Sequence, residues 1–367
     1  MRRLKSLSVA GYKSIKEDTI ELGALNVLIG GNGVGKSNLI SVFKFLREIY
    51  DGNLQSYVGT SGANALLHFG RKISPELRFS VVFEQTNLHF ENNYEVVLAP
   101  TDNDGFVFKH EKSGFRNTKN YPNPKNVFWD SIWSGHSESE LSKATRDVAV
   151  QTAADLASYR VYHFHDTSSG ALVKQTQDLN NNRFLQIDAG NLAPYLYWMK
   201  QKHPDYLDAI QSVIKQVAPF FDRFELDPLK NNEEKIRLEW REKGSDQIFN
   251  AHQLSDGTLR FMCLATLLLQ PEIPRMVLLD EPELGLHPAA IVLLAELLKE
   301  ASQRTQILVA TQSVTLVNQL EQNCIYVADR VEGATKVKSL ETQDLSKWLE
   351  RYALGELWEK NLIGGRP

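Results

Sequence analysis

The chain has little that could cross-link its structure through sulfur or metal. Its 367 residues include only two cysteines, Cys263 and Cys324, which lie far apart and each within an apolar stretch. Disulfide-stapled domains and cysteine-based metal sites need several closely spaced cysteines. The composition therefore speaks against both kinds of structure and fits a reducing cytoplasm.

The sequence also lacks a large net charge and a long apolar run. Because the formal charge is only −4, any contact with nucleic acid would have to depend on a local basic patch. No segment reaches 18 unbroken apolar residues, and the first apolar stretch is interrupted by Lys5 and two serines. We therefore expect a cytoplasmic protein with no signal peptide and no membrane partner.

Against these absences stands a complete phosphate-binding loop. Residues 30–37 read Gly-Gly-Asn-Gly-Val-Gly-Lys-Ser, the pattern G-x-x-x-x-G-K-[ST]. The loop follows the predicted strand 25–29 and precedes residues 36–49, whose apolar positions recur at the period of a helix. Backbone N–H groups and the positive end of a helix would then face an anion. We predict that the chain binds a nucleoside triphosphate.

Individual residues of this loop have distinct predicted tasks. Lys36 is expected to reach the β- and γ-phosphates of ATP, and the Ser37 hydroxyl is expected to ligate Mg²⁺. The other predicted contacts with ATP come from the loop and the first helical turn, namely Gly30, Gly31, Asn32, Gly33, Val34, Gly35 and Asn38.

Two carboxylates follow an apolar segment in the last third of the chain. Residues 276–279 read Met-Val-Leu-Leu, which is typical of a strand buried on both faces of a parallel sheet, and Asp280 and Glu281 come next. Ligands of such sheets bind at the carboxyl ends of the strands. We predict that Asp280 holds Mg²⁺, directly or through water, and that Glu281 orients and deprotonates the attacking water. The alternative is an acidic strand end that only caps a helix.

Several segments together resemble a known family. They are Gly11-Tyr12-Lys13-Ser14, the phosphate loop ending in Gly-Lys-Ser-Asn-Leu, Leu254-Ser255-Asp256-Gly257-Thr258, and Asp-Glu-Pro-Glu-Leu-Gly-Leu-His-Pro at 280–288. In this order they resemble ABC-class ATPases of the RecF/SMC-like group, and in particular stand-alone AAA-type predicted ATPases related to the ATPase part of OLD-family proteins. Residues 348–367 look like the tail of one compact bacterial subfamily. The resemblance covers essentially the whole chain.

This resemblance implies a fold class and a division of the chain. The fold is expected to be α/β, an ABC-ATPase head of the P-loop NTPase type with a mixed or parallel core sheet, an antiparallel side sheet and a helical lobe with an insertion. We expect one part of the core at 1–100, the insertion and helical lobe at 101–250, the rest of the core at 251–345 and a helical tail at 346–367. Residues 101–142 are rich in Asn, Lys, Gly, Ser and Pro, which predicts an irregular segment.

The resemblance also implies that ATP holds two copies of the chain together. In a head-to-tail dimer, Ser255 and the Gly257 backbone of one subunit would approach the γ-phosphate bound by the other. Taken alone, Leu-Ser-Asp-Gly-Thr is more typical of an ordinary helix N-cap, but its position just ahead of the Asp-Glu strand favours the role in a dimer.

Two glutamines are further candidates for the site. Where transporter-type cassettes place a switch histidine, after the predicted strand 307–310, this chain has Gln312. Glutamine can hydrogen-bond a γ-phosphate or water but cannot take up a proton near neutral pH, so we expect slow or partner-dependent hydrolysis. Gln85, which follows the predicted strand 79–83, is a candidate Q-loop residue and metal ligand. A surface glutamine in a hairpin explains it equally well.

Two other clusters have a functional and a structural interpretation. His163 and His165 share a face of a predicted strand beside Asp166, so they could hold a metal, although packing or interdomain hydrogen bonding is favoured because no further ligands are evident. Between Lys109 and Lys125, five basic residues alternate with aromatic ones, which could hold DNA. A solvated loop is the favoured interpretation.

We therefore expect an ATPase that forms an ATP-sandwiched dimer and works in DNA repair or anti-phage defence beside a separate effector such as a nuclease. The alternative is a nucleotide-gated binding module with negligible turnover. A transporter ATPase subunit is less favoured, because the Gly-Tyr-Lys-Ser segment and the run at 280–288 fit the soluble branch of the family.

Overall fold

A computed structural model describes residues 2–85 and 88–366 of the chain. The strands are β1 (Arg2–Tyr12), β2 (Ile15–Glu21), β3 (Leu25–Ile29), β4 (Leu77–Gln85), β5 (Phe90–Pro100), β6 (Phe106–Asn117), β7 (Phe128–Trp133), β8 (Tyr159–Tyr162), β9 (Gln177–Asp178), β10 (Phe221–Glu225), β11 (Lys235–Ile236), β12 (Glu239–Glu242), β13 (Ile248–Asn250), β14 (Met276–Asp280), β15 (Gln306–Ala310), β16 (Ile325–Val331) and β17 (Ala334–Ser339). The helices are α1 (Lys36–Tyr50), α2 (Leu54–Gly59), α3 (Ala63–Leu66), α4 (Asp147–Ala157), α5 (Leu192–Lys202), α6 (Pro204–Val217), α7 (Asp256–Leu269), α8 (Pro288–Ser302), α9 (Val314–Val317), α10 (Ser346–Leu349) and α11 (Leu354–Glu359).

The central sheet is mixed, as predicted. Its order is β17-β16-β3-β15-β14-β8, and every neighbouring pair is parallel except β16 and β17. Val27 and Ile29 of β3 enter one hydrophobic core, whereas Leu28 between them enters a second core on the other face. Both faces are therefore covered, which is why the central strands are almost uniformly apolar.

The central sheet separates the two hydrophobic cores, and different elements cover each of its faces. On one face of the central sheet, α1 packs together with a six-stranded antiparallel sheet of order β2-β1-β4-β5-β6-β7. On the other face, α5 to α8 and α11 form a larger core. The antiparallel side sheet and the helical lobe are confirmed.

The prediction of an irregular segment at 101–142 is wrong. This segment contains β6 and β7, and β6 pairs with β5 from Phe90 opposite Asn117 to Pro100 opposite Phe106. An antiparallel sheet with a solvated face can be rich in polar residues, so composition did not exclude strands. The buried carboxylate of Glu111 adds to the polar character, and it is satisfied by the Tyr94 hydroxyl at 2.5 Å and the Glu140 N–H at 2.9 Å.

The solvated-loop interpretation of the basic segment is wrong for its part on β6 and holds for Lys119 and Lys125. Three of its cations lie on β6 and contact carboxylates: Lys109 contacts Glu76 at 3.0 Å, Lys112 contacts Glu95 at 3.1 Å, and Arg116 donates through Nε to Glu91 at 2.9 Å. Lys119 and Lys125 are exposed in the connection between β6 and β7. Lys109, Lys112 and Arg116 are therefore engaged within the sheet.

In the helical lobe, residues 192–217 form two helices, α5 and α6, which are separated by His203 alone. Pro204 occupies the first turn of α6, where its missing N–H has no intrahelical partner to lose, so α6 starts anew after His203.

No pattern in the sequence predicted β16 and β17. The helical tail is confirmed as α10 and α11, and the side chain of Trp358 in α11 is completely buried.

Two expectations about the whole chain can be compared with this fold. Cys263 and Cys324 are both buried and free. Among the residues that the structure describes, no helix combines the length and apolar character that crossing a bilayer would require.

Candidate nucleotide-binding site

The candidate site lies at one edge of the central sheet, where the parallel strands end together. In the register of the sheet, Asp280 of β14 is opposite Ala310 of β15, and Ala310 is opposite Leu28 of β3. The phosphate loop (residues 30–37) follows β3, the carboxylates of Asp280 and Glu281 end β14, and Gln312 follows β15. Tertiary structure thus brings together residues that are separated by almost 300 positions in the sequence.

The phosphate loop has the curled backbone that its glycines predict. Gly30, Gly33 and Gly35 all have positive φ, and Gly35 precedes the first residue of α1. An ideal Cβ on Gly35 would lie 2.1 Å from Thr335 Oγ1 and 2.6 Å from Ser14 Oγ, so a larger residue cannot fit there. Val34 is half-buried and packs against the second core, whereas Asn32 is exposed.

Lys36 lies inside the loop rather than in solvent. Its ammonium group donates to the carbonyl oxygens of Gly30 at 2.5 Å and Gly31 at 3.0 Å, and the residue is buried. Burial lowers the pKa of Lys36, while the negative charges of Glu281 and Asp280 act in the opposite direction. The lysine and the two carboxylates therefore belong to one electrostatic site.

Ser37 and Asp280 fit the requirements of a magnesium site. Ser37 is exposed in the first turn of α1, and Asp280 is half-buried at the end of β14. Within the described residues, no protein donor hydrogen-bonds the Asp280 carboxylate. Mg²⁺ favours one or two protein oxygens together with phosphates and water. The side chain of Asn38 makes a contact within the protein, since its amide donates to Ser14 Oγ at 2.7 Å.

Glu281 has an unusual backbone conformation, and its side chain accepts a hydrogen bond from Gln312. Its φ of 45° is in the left-handed region, which is uncommon for a residue other than glycine and is frequent at functional sites. Its N–H donates to the Ala310 carbonyl at 2.8 Å, and the Gln312 side-chain amide donates to its carboxylate. The structure therefore brings Glu281 and Gln312 into direct contact.

A further carboxylate, Glu283, anchors the segment that carries Gln312. It is buried, and its Oε1 accepts from the Thr311 hydroxyl at 2.6 Å and the Gln312 N–H at 3.0 Å. Its Oε2 is buried with no hydrogen-bond partner in the part of the chain that is described. Burial raises the pKa of Glu283, and the two hydrogen bonds oppose that shift. Sequence reasoning did not identify this residue, although it lies within a recognised motif.

The histidine pair also lies at this edge of the sheet. β8 is parallel to β14, so residues 163–165 follow its carboxyl end beside the carboxylates. His165 donates from Nε2 to the Asp280 carbonyl at 2.8 Å. Burial lowers the pKa of His163, and the negative charge of Asp280 opposes the shift. The sequence favours packing or interdomain hydrogen bonding for this pair because no further ligands are evident, and it does not show that β8 is the neighbour of β14.

Gln85 is not part of this site. It ends β4, where it is opposite Arg2 in β1, whereas the end of β1 near Tyr12 leads to Ser14 and the phosphate loop. Ala10 is opposite Arg78, so Gln85 lies roughly 24 Å further along the strand. The assignment of Gln85 as a metal ligand is therefore corrected, because the strand carries it to the opposite end of the side sheet.

Residues 254–258 span the start of α7, which begins at Asp256 and has Ser255 as its N-cap. Ser255 Oγ accepts from the Thr258 N–H at 3.2 Å, and the residue is exposed. An ideal Cβ on Gly257 would lie 2.5 Å from the carbonyl oxygen of Gly285, which shows that the start of α7 packs directly on the segment after Glu281. The N-cap interpretation is thus correct as geometry, and a role in a partner's site stays a prediction.

Arg260 joins three segments around the site. Its buried guanidinium donates to the carbonyl oxygens of Phe164 at 2.8 Å and His165 at 3.1 Å, and also to that of Leu284. It therefore ties α7 to the segment after β8 and to the segment after β14. A lone arginine within an apolar helix gave no sequence signal for this contact.

The chain is similar in sequence to known proteins. The family model described as "AAA domain, putative AbiEii toxin, Type IV TA system" matches residues 25–318. Old nuclease of Escherichia phage P2 is 24% identical over 378 aligned positions, which cover 92% of this chain and 61% of that protein. A putative ABC transporter ATP-binding protein of Methanosarcina acetivorans is 38% identical over 79 residues, or 21% of this chain and 28% of that protein. This chain thus spans less than two thirds of either relative.

Solved structures share the fold. An SmcHead bound to the C-winged helix domain of ScpA matches with a TM-score of 0.62 and 16% identity, over 94% of this chain and 99% of that one. An Smc head domain with an extended coiled coil, bound to the C-terminal domain of ScpA from Pyrococcus furiosus, matches with a TM-score of 0.60 and 17% identity, over 95% and 99%. The family match, the two-sided sheet and the shared fold lead to one conclusion: the chain belongs to the AAA domain, putative AbiEii toxin, Type IV TA system family, has the fold of SMC head domains and is similar in sequence to Old nuclease.

Proposed function

We propose that this protein binds ATP in the phosphate loop and hydrolyses it with Glu281 as the general base. The observation that carries the proposal is the common strand edge, where the loop, Asp280, Glu281 and Gln312 come together. Such an arrangement supplies what phosphoryl transfer needs, which is a cradle for the phosphates, positive charge and a group that orients water.

The chain's own groups would act in sequence. On binding, the Lys36 ammonium would exchange the carbonyls of Gly30 and Gly31 for oxygens of the β- and γ-phosphates. Ser37 and Asp280 would hold Mg²⁺, which supplies positive charge to the phosphates when bound. Glu281 would then accept a proton from the attacking water, and the Gln312 amide would help to orient that water.

We further propose that hydrolysis is coupled to head-to-tail association of two copies. Two exposed features of the same lobe support it. Ser255 presents the N-terminus of α7, and Leu284, whose side chain is exposed, lies beside it in the segment that Gly257 contacts. The start of a helix attracts anions, and an exposed leucine suits burial against a protein surface.

The hydrogen bond from Gln312 to Glu281 favours a second candidate function, a nucleotide-gated module with negligible turnover. The Gln312 amide occupies a carboxylate oxygen of Glu281 that would otherwise be free to accept from water. In that case ATP binding would set the association state, and hydrolysis would be slow until a partner displaced Gln312.

The biological setting is proposed from the relatives alone. We propose a role in DNA maintenance or anti-phage defence beside an effector such as a nuclease. The matched family, described as a putative AbiEii toxin of a type IV TA system, and the similarity to a phage nuclease support it. Direct DNA binding gains no support from Lys109, Lys112 and Arg116, because these cations are paired within the side sheet.

The test measures ATP affinity and phosphate release for the wild type, Lys36→Ala and Glu281→Gln. Lys202→Ala, which removes an exposed lysine at the end of α5, is the matched control. We expect Lys36→Ala to bind ATP at least about tenfold more weakly and Glu281→Gln to bind ATP normally while phosphate release falls about 100-fold or more. Unaltered ATP binding in Lys36→Ala would refute the site, and unaltered turnover in Glu281→Gln would refute the general base.

A further inference from the structure

A segment after α11 is built into the side of the phosphate loop. We call residues 358–366 the strap. Its Gly365 N–H donates to Asp329 Oδ1 of β16 at 2.9 Å, and the indole N–H of the wholly buried Trp358 donates to the Gly365 carbonyl. The N–H and the carbonyl of Gly365 are thus both held by side chains, one from β16 and one from α11, and these two bonds set the path of the strap.

The strap touches the loop backbone to backbone. An ideal Cβ on Gly31 would lie 2.5 Å from the carbonyl oxygen of Arg366, and one on Gly365 would lie 3.4 Å from Cα of Gly30. Gly31 does not have the positive φ that would by itself demand glycine, so the contact with the strap is what leaves no room for a methyl group. These are the same two loop residues, Gly30 and Gly31, whose carbonyls hold the Lys36 ammonium group.

The strap continues α11, and the α11 end of this combined segment is attached to α9. The Gly355 N–H of α11 donates to Asn318 Oδ1 at 2.7 Å, and an ideal Cβ on Gly355 would lie 2.7 Å from Val314 Cγ1. Val314 begins α9, immediately after Ser313, the N-cap that follows Gln312. The segment therefore bridges the loop that would bind phosphate and the helix that follows the switch glutamine.

We propose that the strap is a positioning element of the nucleotide site, which holds Gly30 and Gly31 so that the loop amides and Lys36 face the phosphates. This inference rests on the proposed function. A loop of four glycines has many accessible backbone conformations, and fixing one of them before ATP arrives removes an entropic cost of binding. Without the strap, the loop would have to be ordered by the nucleotide itself.

The test releases the strap without touching the phosphate-facing side chains. Asp329→Ala removes the acceptor of the Gly365 N–H, whereas Asp329→Asn keeps an acceptor oxygen and serves as the rescuing variant. Gly31→Ala pushes against the Arg366 carbonyl from the other side. Gly59→Ala is the control for adding a methyl group to a glycine that lacks a positive φ, because nothing lies within 4 Å of an added Cβ on Gly59.

We expect Asp329→Ala and Gly31→Ala each to weaken the affinity for radiolabelled ATP about tenfold, because ordering the loop would then cost part of the binding free energy. Asp329→Asn and Gly59→Ala should bind like the wild type. Because both damaging changes act on one contact, the Gly31→Ala/Asp329→Ala double variant should lose no more affinity than the worse single variant. Independent losses that multiply, or a wild-type affinity in Asp329→Ala, would overturn the proposal.

A second measurement separates this inference from the proposed function. Hydrogen exchange of the amides at 30–35 is followed in the nucleotide-free protein, where it should quicken in Asp329→Ala and stay slow in Asp329→Asn. If the wild type fails to bind ATP, the proposed function fails, and the exchange experiment still shows whether the strap orders the loop. Equal exchange in Asp329→Ala and the wild type overturns the strap whatever the ATP affinity.

Discussion

At the scale of single residues, the site combines conformations that only particular side chains allow. Gly35 has a φ of 107° and is enclosed by Thr335 and Ser14, so both its backbone conformation and its surroundings require glycine. Glu281 adopts a left-handed conformation without being glycine, which stores backbone strain of about 1–3 kcal/mol at the residue proposed as general base. The surrounding packing, including the contact with Ala310, maintains that strain.

Glu283 makes the stability of the nucleotide-free protein depend on pH. Its pKa is raised above the ordinary value of 4.5, chiefly by burial. A carboxyl with a raised pKa in the folded state contributes its stability below pH 4.5, and that contribution is lost as the pH rises through the folded value. We expect Glu283→Gln to have a higher free energy of unfolding than the wild type at pH 7–8, with a difference that shrinks toward pH 4.5, measured by urea denaturation.

Glu283→Ala provides the contrast. It leaves the buried Thr311 hydroxyl and the Gln312 N–H without their acceptor, so the free energy of unfolding should fall by about 1–3 kcal/mol at neutral pH. A Glu283→Gln variant that is less stable than the wild type at every pH would show that the ionised carboxylate is needed.

At the scale of elements, the start of α7, the segment after β8 and the segment after β14 are joined by one side chain. Arg260 donates to carbonyls of both connecting segments. Arg304 offers a matched comparison, because it also donates to two carbonyls, those of Leu268 and Gln270, but at the opposite end of α7. Both arginines therefore donate hydrogen bonds to backbone carbonyls, but at different distances from the site.

We expect Arg260→Ala and Arg304→Ala each to lower the free energy of unfolding, by about 2–3 kcal/mol, because each leaves carbonyls without their charged donor. Only Arg260→Ala should also slow phosphate release well below the melting temperature, by about tenfold or more, since it alone frees the segments that carry His165 and Leu284. Calorimetry and steady-state turnover measure the two effects. Equal loss of turnover in both variants would contradict the assignment.

The elements themselves were predictable to different degrees. β3, α1, β14 and β15 match their sequence patterns closely, because apolar periodicity and flanking turn residues act locally. β6 and β7 were missed because their polar residues lie on a sheet whose pairing involves distant strands. β16 was missed as well, although it is a strand of the central sheet and carries Asp329, the anchor of the strap.

At the scale of the whole molecule, the proposed dimer places one copy's α7 against the other copy's phosphates. Ser255 is the N-cap of α7, and aspartate and asparagine are both good N-caps. Ser255→Asp and Ser255→Asn should therefore fold equally well, but only the aspartate would put a negative charge against the γ-phosphate of the partner copy.

Each change is combined with Glu281→Gln to prevent hydrolysis, and the mass is measured by light scattering with ATP and Mg²⁺. We expect Glu281→Gln alone and with Ser255→Asn to have twice the chain mass of 41.6 kDa. With Ser255→Asp the mass should remain 41.6 kDa, although ATP still binds in the copy's own loop. A dimer that persists with Ser255→Asp would place the interface elsewhere.

The sequence by itself determined the phosphate loop, the strand with its two carboxylates and the capped start of α7. Each of these depends on the order and spacing of neighbouring residues, which fix backbone conformation locally. Only the tertiary structure decided which strands are neighbours, and with that the placement of His165 and Glu283 at the site and of Gln85 far from it. It also brought residues 358–366 to the phosphate loop. The physical reason is that parallel pairing and the burial of both sheet faces depend on contacts between segments hundreds of residues apart, which no local pattern encodes.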